Sequence, residues 1–518
     1  MGIPYLFSEL VKQNGNIIKN YIKNCNRLFL DFNSIIHCCS AKITSNNPNY
    51  TNNDIFEEII KYTLMLNNIC KPSDLLYIGI DGVAPRAKIN QQRKRRYISA
   101  YRNNSIDLFK KNNNIPIIDW DSNCITPGTE FMKELDLYIK NYFDKYKLQI
   151  PVIISSHTDV GEGEHKIIKY IKNDQNKSNI DIIYGLDADL IILSLCCDMS
   201  NIYLMRENMT EKQVYFKYLD INMLSNHILR NFKNIKDYIC ICVLIGNDFL
   251  PSISFIRLDN DGLNILCNIY KKIYNILNED LILENKGIYY VNQKFLLRIF
   301  EHLSDIETQS MIDILEYFNT LTFNFNKKYQ TKMEKYINEF ENMPIINKYP
   351  NVINPSNDLN WKNYYYYNLF KLNSSNLIKD VSIKYIEGIV WNINYYFNNK
   401  IDENWYYQYN YSPCTSDIYK YLYSMNNEYL ISLQKKLSKN ESSIIINSDI
   451  QMLMVLPPQS QKFVPDRYRN LYNKIENGCR HLFPDKFKLI TFLKTKTWEC
   501  VPDLPIIDIE LLVKYMNI

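Results

Sequence analysis

Short apolar runs that end in an acidic residue punctuate the first half of the chain. Arg27-Leu28-Phe29-Leu30 runs into Asp31, Leu75 to Ile80 into Asp81, Ile182 to Leu186 into Asp187, and Ile239 to Gly246 into Asn247-Asp248. These runs are short, apolar on both alternating sets of positions, and followed by polar turns, so they predict buried strands of a parallel sheet. Between them the spacing turns helical, over Asp54 to Asn67 and over Phe131 to Tyr146, the latter before a further strand at Ile150 to Ser156. Pro151 suits the first position of that strand, where its missing N–H disturbs no ladder. Alternation of this kind from residue 27 to about 255 predicts an α/β fold, a mainly parallel central sheet with right-handed crossovers and flanking helices.

Beyond that point the pattern changes twice. Residues 256–350 read as polar helices rich in Asn, Lys, Ile and Tyr, with no assignable motif, and are expected to be a helical insertion or scaffold. Residues 351–518 crowd aromatics together, at Trp361 to Tyr367, Tyr385 to Tyr396 and Trp405 to Tyr411. Buried aromatics dominate cores, so most of these are expected to pack a largely helical second region onto the sheet domain of residues 1–255.

Composition adds exclusions. At 518 residues and 46% hydrophobic content the chain can build large cores, and disorder is excluded as its main character. A formal charge of +4 is too small to imply a nucleic-acid partner by itself; only its distribution can. The 13 cysteines form no C-x-x-C pair, which reads as reduced thiols without a zinc framework. No apolar stretch reaches 18 residues and the start lacks a signal-peptide pattern, so a soluble, non-secreted chain without a membrane span is expected. The absence of basic clusters other than Lys94 to Arg96 points to the cytoplasm, with the nucleus as the alternative, and a monomer is expected.

The chemistry gathers at the ends of the apolar runs. Ligands of open parallel sheets bind at the carboxyl ends of the strands, so Asp31, Asp81, Asp187, Asp189 and Asp248 are expected to converge. Glu162 and Glu164 join them from Gly161-Glu162-Gly163-Glu164-His165-Lys166, where the glycines allow a sharp turn into a helix. Asp187 and Asp189 point to one side if that segment is extended. Two carboxylates about 4 Å apart repel by roughly 4 kcal/mol at an effective dielectric near 20. A cluster of this kind calls for divalent cations, and hard oxygen ligands suit Mg²⁺ or Mn²⁺.

The positive charge concentrates beside it. Between Arg86 and Lys111 stand nine Lys or Arg residues and a single acid, Asp107. In a helix Lys88, Gln92, Arg95 and Arg96 share one face, a few residues after Asp81. Arg makes strong, often bidentate bonds to phosphate, so this face suits a terminal phosphate. A merely solvated basic face is the plainer alternative, and adjacency to the acids argues against it.

These segments resemble one family, the XRN 5′→3′ exoribonucleases. The resemblance is carried by Met1 to Pro4, Leu30 to His37, Asp81 to Lys88, Asn90 to Arg96, Asp121 to Met132, Gly161 to Lys166, Gly185 to Leu190 and Gly246 to Pro251. It continues in Tyr385 to Gly388, Trp405 to Asp417 and Trp498 to Pro505. It implies a flap-nuclease-like fold of the PIN type and a processive enzyme that hydrolyses 5′-monophosphorylated single-stranded RNA to nucleoside 5′-monophosphates, as in mRNA decay. It further implies that Asp31, Asp81, Glu162, Glu164, Asp187, Asp189 and Asp248 hold two Mg²⁺ ions, with Mn²⁺ able to substitute. Lys88, Gln92, Arg95 and Arg96 match the family's 5′-phosphate pocket, Asn33 lies in a matching segment, and His37 and Trp405 are similar to its base-stacking pair. Protein partners such as decapping factors are implied only in kind.

The chain departs from the family pattern in Glu403-Asn404-Trp405, where two tryptophans usually stand a residue apart, and in Tyr409-Asn410-Tyr411, which replaces Tyr-His-Tyr. Neither the zinc knuckle of nuclear relatives nor the long carboxyl-terminal extension of cytoplasmic ones is present, so a minimal catalytic core is expected. A flap-type DNA nuclease is one rival, but Pro251 to Leu266 holds only Gly262, not the Gly-x-Gly of a duplex-gripping hairpin. An inactive RNA-binding scaffold is another, and the complete acid set argues against it.

Overall fold

The computed structural model describes residues 6–13, 15–118, 120–174, 176, 178–185, 187–197, 201–209, 214–372, 374–426, 428–440, 444–473 and 479–516. Met1 to Pro4 and Leu186, which belong to the family-like segments, lie outside the described residues. Among the described residues the central sheet has seven strands: β1 Ile18–Lys19, β2 Arg27–Asp31, β3 Leu75–Gly79, β4 Val152–Ser155, β5 Asp181–Tyr184, β6 Ile202–Met209 and β7 Val214–Asp220. Their order across the sheet is β1-β7-β6-β5-β2-β3-β4. The β6, β5, β2, β3 and β4 strands are parallel, while β7 pairs antiparallel with β6 and with β1. The long β6–β7 pair and β1 were not anticipated by the apolar runs.

Both faces are covered, which explains strands that are apolar at every position. Phe29, Tyr77, Ile183 and Leu204 face one core, and Leu28, Leu30, Ile78 and Ile182 the other. Helices Phe32–Asn46, Asn52–Cys70 and Glu130–Lys145 cover the second face. Helices Gly163–Asn173, Asp189–Leu195 and Ile235–Ile245 cover the first, and the same core continues without a break into the aromatic-rich helices Trp361–Phe370 and Ser375–Ile393.

One expectation is corrected. Ile239 to Gly246 is not a strand but most of the helix Ile235–Ile245, every residue of which from Asp237 to Ile245 is buried. A continuous apolar run cannot by itself separate a buried strand from a buried helix. The start of the helix decides it: Asn234 caps it, its side chain accepting from the Asp237 N–H at 2.8 Å. Asp237 in turn accepts from Tyr270 Oη at 2.7 Å and from the Leu281 and Ile282 N–H groups at 3.1 and 2.8 Å, pinning the 282–291 hairpin to the helix.

At the amino end of the sheet the buried Arg27 is matched by Asp181, at 2.7 and 2.6 Å, and by Asp174. Each carboxylate there is paired directly with the guanidinium, unlike at the opposite end. Among the described residues no helix is long and apolar enough to cross a membrane. Replacing Asp237 with Ala strands three buried donors at roughly 1–3 kcal/mol each, so faster hydrogen exchange at the Leu281 and Ile282 amides is expected, with a lower melting temperature.

Candidate active site

The carboxyl ends of β2, β3 and β4 are locked together by backbone contacts that leave no room for side chains. Asp31 closes β2 and Asp81 stands two residues past β3. The loop after Asp81 is zipped to the Gly161 turn, the Gly82 N–H donating to Gly161 O at 2.9 Å and the Gly161 N–H to Val83 O at 2.8 Å. Gly161 has φ +102°, a region glycine enters freely. Gly163 lies so near β3 that an added Cβ would stand 2.5 Å from Gly79 O and 3.3 Å from Asp31 Oδ1. The buried Lys166 ties the strand ends below, donating to Ile80 O at 2.7 Å and Ser156 O at 2.8 Å.

This packing brings Asp31, Asp81, Glu162, Glu164 and Asp187 onto the wall of one cavity of about 590 Å³. Asp81 Oδ1 accepts from the Gly163 N–H at 2.7 Å, and Asn33 Oδ1 accepts from the Asp81 N–H at 3.1 Å, so Asn33 positions an acid. Arg206 on β6 donates to Asp187 O at 2.8 Å. Asp189 and Asp248 lie behind this wall and join it through Lys88, whose ammonium is 2.8 Å from Asp248, 2.9 Å from Glu162 and 3.9 Å from Asp189. Lys88 therefore lines the cavity, as a phosphate ligand would, but its Nζ bonds to carboxylates.

The electrostatics follow from crowding out of water. Burial, then repulsion from Asp81, Asp187 and Glu162, raises Asp31 well above the usual carboxylate range. Burial raises Asp81, Glu162 and Glu164 too, against the pull of Lys88. Asp189 is pushed up to about 7 by burial and by Asp248. Asp248 goes the other way: burial alone would raise it, but Lys88, by charge and by hydrogen bond, and the other nearby positive charges, Arg95 among them, together outweigh that. Such a cluster needs more positive charge than one lysine to stay ionised.

The donor set fits a hard divalent cation. Glu162 Oε2 and Asp189 Oδ1 are buried without a hydrogen-bond partner, and an oxygen left bare costs free energy that a cation removes. Glu162, Glu164 and His165 bring one ligand atom each within 4.8 Å of one another. His165 was not a candidate from sequence; its ring packs 4.4 Å from that of Tyr395, and its Nε2 is buried without a partner.

The opposite wall comes from the basic helix, Arg86–Asn112, whose Lys88, Gln92, Arg95 and Arg96 all line the cavity. Arg96 is anchored to the loop before the Glu130–Lys145 helix, donating to Asn123 O, Asn123 Oδ1 and Ile125 O, each at 3.3 Å, and to Thr126 Oγ1. Arg95 is exposed to the cavity. His37 lies between; the enclosing walls, then Arg96 and Arg95, hold its imidazole down at about 4. It is neutral at pH 7, an uncharged aromatic face.

Not every cation of the helix serves the cavity. Arg93 donates to Pro505 O at 2.6 Å and Leu482 O at 2.7 Å, and Arg86 to Ile507 O at 2.8 Å, so these two hold the carboxyl-terminal segment. Gln451, fully buried on the Ser448–Val455 helix, was also missed. Its Oε1 accepts from the Ala84 N–H at 3.1 Å and its Nε2 donates to Gln92 Oε1 at 3.2 Å, bridging the Asp81 loop to the basic wall. One amide inside Ile450 to Val455, otherwise apolar, was the signal available.

Trp405 is not brought beside His37. It is 7% exposed, stacks on Trp391 with centroids 5.3 Å apart, and its Nε1 donates to Glu387 Oε2 at 3.3 Å. Gly388 makes room for it, since a Cβ there would stand 3.1 Å from Cη2 of Trp405. The Ser375–Ile393 helix and the widened turn Asn394–Asn398 reach the site instead through Asn392 Oδ1 and Tyr396 Oη, which accept from Asn247 Nδ2 at 2.7 and 3.3 Å and fix the loop carrying Asp248.

For Gly163→Ala, overpacking against Gly79 costs roughly 1–3 kcal/mol. The expected outcome is a lower melting temperature together with weakened Mn²⁺ binding, by thermal unfolding and calorimetric titration.

Comparison with known proteins covers both halves of the chain. Residues 1–208 match the model of the XRN 5′-3′ exonuclease N-terminus, and residues 231–358 and 356–517 match that of the Xrn1 helical domain. Relatives named 5′-3′ exoribonuclease 1 are 27% identical in Schizosaccharomyces pombe, over 98% of this chain and 48% of the relative, and 27% in Homo sapiens, over 100% and 34%. One named 5′-3′ exoribonuclease 2 in Arabidopsis thaliana is 25% identical over 93% of this chain and 61% of the relative. The chain thus spans about a third to three fifths of the length of these relatives. With matches covering both the sheet and the helical half, this chain belongs to the XRN 5′-3′ exonuclease family.

Proposed function

We propose that the chain is a 5′→3′ exoribonuclease that takes single-stranded RNA with a 5′-monophosphate and releases nucleoside 5′-monophosphates one after another. The observation that carries this reading is a single cavity walled on one side by carboxylates and on the other by Gln92, Arg95 and Arg96. The names of the relatives, 5′-3′ exoribonucleases, support it.

Each role follows from the chain's own groups. Arg95 and Arg96 offer planar, charged donors to a terminal phosphate, and Gln92 adds an amide. Arg96 is held in place by Asn123, Ile125 and Thr126, so it meets the phosphate without reorganising. The neutral His37 ring stacks on the terminal base, which tolerates any sequence because every base has a π face. Bound at the carboxylates, two Mg²⁺ or Mn²⁺ ions would supply an activated water and neutralise charge on the leaving oxygen. Asp31, Asp81, Glu162, Glu164, Asp187, Asp189 and Asp248 would hold them, with Lys88 turning between these acids and the substrate phosphate. Clamping the terminal phosphate beside the acids puts the first internucleotide bond at the reacting position, which gives the 5′→3′ direction.

Incubating matched 5′-phosphate and 5′-hydroxyl RNA and DNA oligomers with Mg²⁺ tests the reading. Mononucleotides from the 5′-phosphorylated RNA, without intermediates, are expected; equal rates on both 5′ ends would overturn the clamp. Asp189→Ala is expected to lower hydrolysis at least a hundredfold. Arg96→Ala should cut the preference for 5′-phosphate by about 10- to 100-fold, the worth of roughly 1.5–3 kcal/mol for a hydrogen bond to a charged group. Gln451→Leu should raise KM several-fold on 5′-phosphorylated RNA and leave the slow reaction of 5′-hydroxyl RNA unchanged.

A further inference from the structure

A second cavity, of about 310 Å³, lies across the basic helix from the first. Arg95 lines both, and the Asn247-Asp248 loop forms part of the second cavity's wall. Its volume falls at the lower end of the roughly 300–1,000 Å³ of small-molecule sites.

Three kinds of group on its wall ask for a ligand. The first is cationic: Lys94 on the helix and Lys494 on the carboxyl-terminal segment both face this cavity. Among the described residues neither ammonium has a hydrogen bond or a carboxylate within ion-pair distance, and burial, with Arg93 and Lys494 nearby, holds Lys94 down at about 8. Burial lowers Lys494 as well. The nearby acids are engaged elsewhere. Asp259 accepts from Arg257 at 2.8 Å through both oxygens, and Glu499 Oε2 accepts from the Thr495 and Lys496 N–H groups at 2.9 and 3.2 Å. An anion with several oxygens would pair both lysines.

The second kind is polar and uncharged. Gln91 Oε1 and Asn410 Oδ1, both on this wall, are buried without a hydrogen-bond partner. Neither oxygen is open to the cavity as it stands, so a donor such as a ribose hydroxyl or a base amino group meets it when the amide side chain turns toward the ligand. The third is aromatic: Trp498 is 38% exposed on the same wall, an indole with a free flank in a concave site. Cations, orphaned acceptors and an open ring together match phosphate, sugar and base.

We propose that this cavity receives the nucleoside 5′-monophosphate after cleavage, passed to it along Arg95, so that the product leaves behind the helix while the strand keeps the first cavity. The assignment of the nucleotide as product rests on the proposed hydrolysis; the presence of a nucleotide site does not. A strand feeding forward occupies the side from which it entered, and a separate exit lets it advance without the product passing it.

The test is AMP binding to the full chain, followed by calorimetry, in the Arg96→Ala background, which weakens the first phosphate site about 10- to 100-fold. One-site binding is expected to persist there and to weaken about tenfold or more with Lys494→Gln, and independently with Lys94→Gln. AMP should quench tryptophan fluorescence, and Trp498→Phe should remove that quench. In the otherwise native chain Lys494→Gln should make AMP a weaker inhibitor of hydrolysis while leaving kcat/KM at low product unchanged. Unchanged AMP affinity in both lysine variants, each melting like the parent, would overturn the proposal. So would an equal loss of affinity for a short 5′-hydroxyl RNA oligomer, which would make the cavity part of the strand's path. AMP binding as expected in a chain that hydrolyses nothing would keep the nucleotide site and remove the reaction.

Discussion

Like charges do not share the end of a sheet unless something of opposite sign holds them there. The carboxyl edge of β2, β3, β4 and β5 gathers Asp31, Asp81, Glu162, Glu164 and Asp187 on one wall, with Asp189 and Asp248 behind it. Lys88 is the protein's own counter-charge, reaching three of these acids, yet burial still pushes Asp31 and Glu164 far up and Asp189 to about 7. That imbalance is what the binding proposed for further cations would relieve. The amino end of the same sheet shows the alternative, with Arg27 matched by Asp174 and Asp181.

The sheet does not hold the site alone. Gln451 joins the Asp81 loop to Gln92, Asn392 and Tyr396 fix the loop of Asp248 through Asn247, and Ser460 accepts from Asn123 Nδ2 at 2.9 Å beneath the loop that anchors Arg96. All these supports come from the helical half. They are buried and paired, so they set geometry and leave the charge imbalance to the acids and the basic wall. The two halves are thus coupled through amides and hydroxyls as well as through the apolar core that runs from Ile183 to Trp391.

Much of this was legible in the sequence because strands buried on both faces leave short apolar runs, and because Asp31, Asp81 and Asp187 stand just past such runs. The Gly-Glu-Gly-Glu turn was legible too, although the reason Gly163 must be glycine, a Cβ there falling 2.5 Å from Gly79 O, is a closeness between distant segments. What failed was ambiguous in kind. Ile239 to Gly246 has no periodicity to separate strand from helix, and only the Asn234 cap marks its start. Trp405 carried a family-like position, but whether an indole faces a cavity or a core depends on Trp391 and Gly388, which sequence does not place beside it. Gln451 was illegible for the same reason, its partners lying more than 350 residues away. Lys88 was expected in the phosphate pocket from its helix face, its nearness to Asp81 and the family resemblance; it does line the cavity, but its bonds to Glu162 and Asp248 join segments that sequence does not bring together.

The most direct test of the central claim is a calorimetric titration of Mn²⁺ into the full chain at neutral pH, beside the Asp189→Ala variant. Saturable binding of about two ions per chain, weakened or lost in the variant, is the expected result. Binding no different between the two chains would contradict it, for the carboxylates would then be held by Lys88 and protonation alone.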